Sequence, residues 1–244
     1  MAHVHLLLNQ KGGVGKSTLT VNLAAVTAEA LKGRTTGDTP PVCAVSIDPQ
    51  GSTTWWAERV GEDLPFLFVD ASDEIDGLAQ LKQVDTVEHI FVDTPGWLEL
   101  SKSNAAQTGR DADPLGSGHA ADALRAALDS ADDVIVPLMP APLGFGPTQN
   151  TIEKVIAPRG LPYTVVINDW DPRDGTIDLE QTKDFVKANG WPLASSVIRH
   201  YKVHERAAAE GQVVTQYPAN RVHLQAREDF YKLALEVVLS GGKR

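Results

Sequence analysis

Short apolar runs alternate with segments whose apolar residues recur every three or four positions. Val4, Leu6, Leu7 and Leu8 form the first run, and Leu19, Leu23, Val26 and Ala30 follow at helical spacing. The same alternation predicts strands at 4–8, 42–47, 66–69, 89–93, 133–137, 163–167 and 195–198. Helices are predicted at 17–31, 119–129, 147–156, 178–189, 203–210 and 222–239. Strands that alternate with helices imply an α/β fold: a mostly parallel, twisted sheet with helices on both faces. No repeat and no linker interrupts the pattern, so residues 1–244 are expected to form a single domain.

Such sheets bind ligands beyond the carboxyl ends of their strands. Asp48, Asp93, Pro137 and Asn168 all close or follow a predicted strand. Two polar stretches, 32–41 and 101–118, read as loops. The second is expected to be a mobile insertion, and it follows the Asp93 strand directly.

Between the first strand and the first helix stand Gln10, Lys11, Gly12, Gly13, Val14, Gly15, Lys16, Ser17 and Thr18. Strand, glycine-rich turn, Lys-Ser and helix are the parts of a phosphate-binding P-loop. Glycines let backbone N–H groups wrap an anion, and the helix N-terminus adds partial positive charge. Lys16 is expected to reach the β- and γ-phosphates, and Ser17 to ligate Mg²⁺. The usual pattern has glycine where this chain has Gln10, and Lys11 is an additional cation at the mouth of the loop.

Further motifs fit the same chemistry. A strand delivers Asp48 to its carboxyl end, and Pro49 and Gly51 turn the chain after it. A carboxylate there can hold an Mg²⁺-bound water or orient an attacking one, or it can cap the next helix. Ile90, Phe91 and Val92 lead into Asp93, the Walker B arrangement of an acid that supports Mg²⁺. Thr94, Pro95 and Gly96 then suit a loop that senses the γ-phosphate. Asn168 leaves a buried strand with an amide that offers a donor and an acceptor, which suits an adenine edge or a turn.

Composition narrows the class. Cys43 is the only cysteine, which excludes intramolecular disulfides and a cysteine-rich metal site. No apolar stretch is long enough for a membrane span, and no signal peptide is present, so a cytoplasmic protein is expected. Net charge is −10, unevenly distributed: residues 199–244 carry +3 and the rest −13. Such asymmetry can mark an anion-binding face on an acidic body.

These residues resemble the ParA/MinD group of deviant Walker A ATPases over nearly the whole chain. The resemblance rests on KGGVGKST at 11–18, IDPQGS at 47–52, FVDTPG at 91–96, VIVPLMP at 134–140, VVIN at 165–168 and the segment 197–211. It implies a P-loop NTPase domain that uses ATP or ADP with Mg²⁺. It also implies that Lys11 is the signature lysine that reaches across a homodimer to the partner's ATP. Lys16 would be the P-loop lysine, Ser17 the Mg²⁺ ligand and Thr18 the contact to the α-phosphate. Asp48 would position water, Asp93 would be the Walker B acid, and Asn168 would read adenine. Gly12 and Gly13 would let two P-loops approach closely.

Within the group the chain looks most like short ParA proteins of plasmid or chromosome partition. That implies a slow ATPase whose ATP-bound dimer binds nonspecific DNA on the nucleoid. A centromere-binding adaptor would stimulate hydrolysis. The absence of an N-terminal DNA-binding domain is expected to leave it without self-repression. Arg199, Lys202, Arg206, Arg221 and Arg227 are the candidate DNA contacts, the first three on one face if that stretch is helical. A MinD-like membrane ATPase would need a basic amphipathic C-terminal helix. Here Phe230, Leu233, Ala234, Val237 and Val238 look like core packing instead. A metabolic relative is the remaining class; one with an iron–sulfur cluster would need more cysteines than Cys43 alone.

Overall fold

The computed structural model describes residues 1–33, 39–97 and 113–239. Six strands form one parallel sheet: β1 (His3–Leu7), β2 (Val42–Ser46), β3 (Leu67–Asp70), β4 (His89–Asp93), β5 (Asp133–Leu138) and β6 (Tyr163–Ile167). Their spatial order is β3-β2-β4-β1-β5-β6. The chain therefore winds outward from β1 to β3, returns as β4, and then builds β5 and β6 on the other side. That reversal opens a crevice at the carboxyl end of β1, where parallel sheets take their ligands.

The helices are α1 (Lys16–Ala30), α2 (Ser52–Val60), α3 (Ile75–Leu78), α4 (His119–Asp129), α5 (Phe145–Thr151), α6 (Ile177–Ala188), α7 (Lys202–Glu210) and α8 (Arg221–Ala234). Both α5 and α8 continue into a π-helical turn, at Ile152–Ile156 and Leu235–Leu239. Two apolar clusters cover the two faces of the sheet. Val4, Leu6, Val92 and Val136 pack with Leu124 of α4 and Val186 of α6. Leu7, Ala44, Phe91 and Ile135 pack with Leu23 of α1 and Phe230 of α8. Burial on both faces explains why the strands read as continuous apolar runs.

α1 is buried nearly all round because the sheet, α2 and α8 enclose it. Two of its buried polar side chains bond locally or across the fold. Thr20 donates to the Lys16 carbonyl at 3.0 Å. Asn22 donates to the Thr18 carbonyl at 2.9 Å and accepts from the Val214 N–H at 2.8 Å. At the C-terminal end, Phe230, Leu233, Ala234 and Val238 are buried, so that face is core.

Two features depart from the sequence pattern. Residues 195–198 do not form a seventh strand. Ala194 N–H donates to Val165 and Ile198 N–H to Ile167, so the segment runs beside β6. Between these bonds, the N–H groups of Ser195 and Ser196 turn to the Glu236 carboxylate at 2.6 and 3.0 Å, which breaks the ladder. Conversely, α2 was not expected, although Thr53, Trp56, Ala57 and Val60 are buried at helical spacing. Of the two expected loops, residues 34–38 of the first and 101–112 of the second lie outside the described residues. The end of the second is anchored: Leu115 is buried, and Arg125 donates to Asp113 at 2.6 and 2.8 Å.

Candidate functional site

The P-loop sits at the carboxyl end of β1, and its shape depends on distant side chains. Asn9 is buried and acts as a hub. Its amide donates to the Pro137 carbonyl at 2.8 Å and to Thr148 Oγ1 at 2.9 Å, and its oxygen accepts from the Lys11 N–H at 2.9 Å. Thr151, one turn beyond Thr148 on α5, accepts from the Gln10 N–H at 2.9 Å. The position where the usual motif has glycine is thus pinned through its backbone. The sequence pattern pointed to none of Asn9, Thr148 and Thr151. The threonines show helical spacing, but their partners lie about 140 residues away in the chain.

Gly15 caps α1 with φ 87°, a left-handed conformation that favours glycine. A Cβ there would stand 2.2 Å from Asn168 Nδ2. Asn168 is buried and donates to the Val14 carbonyl at 2.8 Å. It braces the P-loop, which leaves one N–H and its oxygen for a ligand. The chain after β4 also passes close to the loop. A Cβ on Gly96 would lie 3.0 Å from the Gln10 carbonyl and the Gly12 nitrogen. The Thr-Pro-Gly turn therefore touches the loop that it was expected to report on.

Lys16, Ser17, Thr18, Asp48 and Asn168 line one cavity of about 1200 Å³. Lys16 is buried, and its ammonium donates to the carbonyls of Asn9 and Lys11, each at 3.2 Å. Burial lowers its pKa, and the charges of Asp93 and Asp48 oppose that effect. Asp48 receives the Gln50 N–H at 2.9 Å, which turns the chain toward α2. Lys11 points elsewhere: its Nζ lies 3.4 Å from the Leu143 carbonyl, on an exposed turn.

Asp93 ends β4 fully buried between Leu7 and Ser46 of the neighbouring strands. Thr53 donates to its Oδ2 at 2.5 Å. Complete burial raises its pKa to about 6, against the Thr53 hydrogen bond, the nearby Ser17 hydroxyl and the charge of Lys16. Its Oδ1 is buried without a hydrogen-bond partner. An orphaned carboxylate oxygen beside the Ser17 hydroxyl suits a hard cation that takes oxygen ligands. Asp93 and Ser17 are therefore the residues that would hold Mg²⁺, which screens phosphate charge when bound.

Residues after β6 form the opposite wall of the cavity. Asp169 has φ 63°, and His200 Nδ1 lies 2.8 Å from its Oδ1. His200, Tyr201 and His204 line the same space, as does Trp55, whose ring carries the Arg59 guanidinium at 4.8 Å. Trp56 also borders this space but is mostly buried in the core and donates to the Gln212 carbonyl at 2.8 Å.

The five expected DNA contacts divide. Arg199 precedes α7 and does not share its face with Lys202 and Arg206. Its guanidinium makes a two-pronged ion pair with Asp229, at 2.6 and 2.9 Å. Arg227 pairs with Glu29 at 2.5 Å. Both are committed to structural contacts. Lys202, Arg206 and Arg221 are exposed and form no ion pair among the described residues. No described helix is long and apolar enough to cross a membrane.

Comparison with known proteins agrees with this geometry. Residues 6–214 match the family model of the CobQ/CobB/MinD/ParA nucleotide binding domain. The maintenance of carboxysome distribution protein A of Gloeobacter kilaueensis is 33% identical over 235 residues, 95% of this chain and 92% of that one. Its counterpart in Halothiobacillus neapolitanus is 25% identical over 219 residues, 86% of each chain. The septum site-determining protein MinD of Pyrococcus horikoshii, solved with Mg-ADP, has the same fold. It superposes with a TM-score of 0.67 at 20% identity, covering 99% of this chain and 98% of that one. The chain belongs to the CobQ/CobB/MinD/ParA nucleotide-binding family and is a P-loop ATPase of the ParA/MinD kind.

Proposed function

We propose that this ATPase is a positioning device: its ATP-bound form is a sandwich dimer that holds a cargo on nonspecific DNA, and hydrolysis releases it. The observation that carries the reading is the placement of Lys11. Its ammonium lies by the exposed Leu143 turn, away from the cavity that Lys16 enters. A Cβ at Gly12 or Gly13 would meet nothing within 4 Å among the described residues. Open space before the glycines and an outward lysine suit a second copy of the loop. Lys11 of the partner subunit would then neutralise γ-phosphate charge only in the dimer, and hydrolysis would remove that charge.

In this scheme Lys16 holds the β- and γ-phosphates, Thr18 the α-phosphate, and Asp48 orients the attacking water. Ser17 and Asp93, with Asp48 nearby, hold the magnesium, and the backbone of Gly12 to Gly15 wraps the phosphates. Asn168 contributes its remaining amide groups to the base. Lys11→Ala is expected to leave the protein monomeric in ATP and Mg²⁺, where the wild type doubles its mass by light scattering. A wild-type mass independent of nucleotide overturns the sandwich.

DNA is supported by Lys202, Arg206 and Arg221 of the basic C-terminal region, which are exposed and form no ion pair among the described residues. Three per chain, doubled by dimerisation, would give a log–log salt slope of about −5. The triple alanine variant is expected to abolish ATP-dependent DNA binding and keep the dimer. Equal binding with ADP overturns the DNA reading, and so does ATP-dependent flotation on liposomes. The relatives' names point to a carboxysome-type cargo, with an adaptor riding on it. The partition resemblance alone points to a centromere-bound adaptor. Attaching each kind of adaptor and measuring stimulated hydrolysis separates the two.

A further inference from the structure

At the amino ends of the strands, opposite the nucleotide cavity, the sheet carries a second polar cluster. His3 and His5 alternate along β1 and so share one face. The register sets His3 beside His89 of β4 and His5 beside Asp133 of β5. His3 Nε2 lies 2.7 Å from Asp133 Oδ2, and His5 Nδ1 lies 2.9 Å from Oδ1. The second nitrogen of His5 lies 3.0 Å from His89 Nδ1. Nothing in the nucleotide chemistry uses these residues.

We propose that His3, His5 and Asp133 form a binding site for one zinc-class divalent ion, with His89 orienting the His5 ring. The donor set is the first reason. Two imidazoles and one carboxylate are a tetrahedral zinc set with an open fourth position, and imidazole suits zinc far better than Mg²⁺. Convergence is the second. One donor atom from each residue lies within 4.8 Å of the others. Bonds of about 2.0–2.1 Å in a tetrahedron put ligand atoms about 3.4 Å apart, so shifts of up to about 0.7 Å at each of two side chains would admit the ion.

Support from neighbouring groups is the third reason. A metal-bound histidine normally commits its other ring nitrogen to a hydrogen bond, which sets the tautomer. His5 already has that partner in His89, and Phe91 stacks on its ring at 4.9 Å. His5 is only 1% exposed, whereas the side chains of His3 and Asp133 are 45% and 23% exposed. One ligand is fixed in the sheet while two face solvent, which gives the ion a route in. The site is separate from that of Mg²⁺. His89 and Asp93 are four residues apart on β4, about 13 Å at 3.3 Å per residue.

The test is zinc titration of the chelator-stripped full chain by calorimetry, with Mg²⁺ present to occupy oxygen sites. The wild type is expected to take one zinc per chain and to melt at a higher temperature with it. His3→Ala and Asp133→Asn should weaken binding at least about tenfold, and His89→Ala by about tenfold through the His5 ring. His3 is exposed enough that its alanine variant keeps the fold, and circular dichroism checks this. A wild type that takes no zinc overturns the proposal. Unchanged affinity in His3→Ala and Asp133→Asn does so too.

Discussion

Replacing Asp93 by asparagine is expected to make the nucleotide-free protein more stable at neutral pH while abolishing Mg²⁺-dependent ATP hydrolysis. Asp93 is fully buried, and one carboxylate oxygen has no partner. Burial raises its pKa from 3.8 to about 6. The folded state therefore holds a proton that the unfolded chain releases at lower pH. Stability falls as pH rises from about 4 to 6, and above that the loss is constant. A displacement of this size corresponds to about 3 kcal/mol. Asparagine carries no charge and can still accept from Thr53, so up to that amount returns. For a chain of this length the melting temperature should rise by roughly 6–12 °C at pH 8. Little gain is expected near pH 4, where the wild-type group is already neutral.

The same substitution removes the charge that would face the cation. Turnover should fall at least about a hundredfold, and Mg²⁺ with ATP should stabilise the wild type but not the variant. Melting curves against pH, with and without nucleotide, measure both effects. A variant that is less stable at pH 8 would contradict the burial argument. One that keeps Mg²⁺-dependent turnover would contradict the magnesium role.

The second large effect is expected at Gly15. Its φ of 87° costs an alanine about 1–2 kcal/mol. The added Cβ would also meet Asn168 Nδ2 at 2.2 Å. Relieving that contact means moving a buried amide off the Val14 carbonyl, a further loss of about 1–3 kcal/mol. Together these are a large part of a typical stability of about 5–15 kcal/mol. Gly15→Ala should melt roughly 10 °C lower and lose nucleotide binding. Gly13 is the internal control. Its φ is 74°, but a Cβ there meets nothing within 4 Å among the described residues, so only the backbone strain applies. Adding Asn168→Ala to Gly15→Ala should recover part of the stability by removing the clash. Equal losses at Gly13 and Gly15, with no recovery, would place the whole effect in the backbone.

Much of this site was legible in the chain. The P-loop, Asp48, Asp93 and Asn168 lie at the ends of apolar runs; the structure brings the P-loop, Asp48 and Asn168 to one cavity and buries Asp93 where it interacts with Lys16. What the sequence pattern missed lies on segments that reach the site from far away. Asn9 depends on Thr148, Thr53 meets Asp93 across 40 residues, and the His200 wall arrives after β6. The predicted seventh strand failed for a similar reason. Its composition suits a strand, but a carboxylate 40 residues on takes two of its N–H groups.

The basic region shows the limit most clearly. Five cations looked equivalent along the chain. In the fold, Arg199 meets Asp229 and Arg227 meets Glu29, 198 residues away. Likewise, alternation shows that His3 and His5 share a face, but not that Asp133 and His89 join them. Most strands, helices and glycine turns are set by neighbours within a few residues, so the sequence alone determined most of the sheet-and-helix pattern and the presence of the phosphate loop. Which charges are neutralised, which carboxylate is desolvated and which imidazoles converge depend on chain segments that meet only after folding. The tertiary structure alone decided those, because charge pairing and burial follow distance in space rather than distance along the chain.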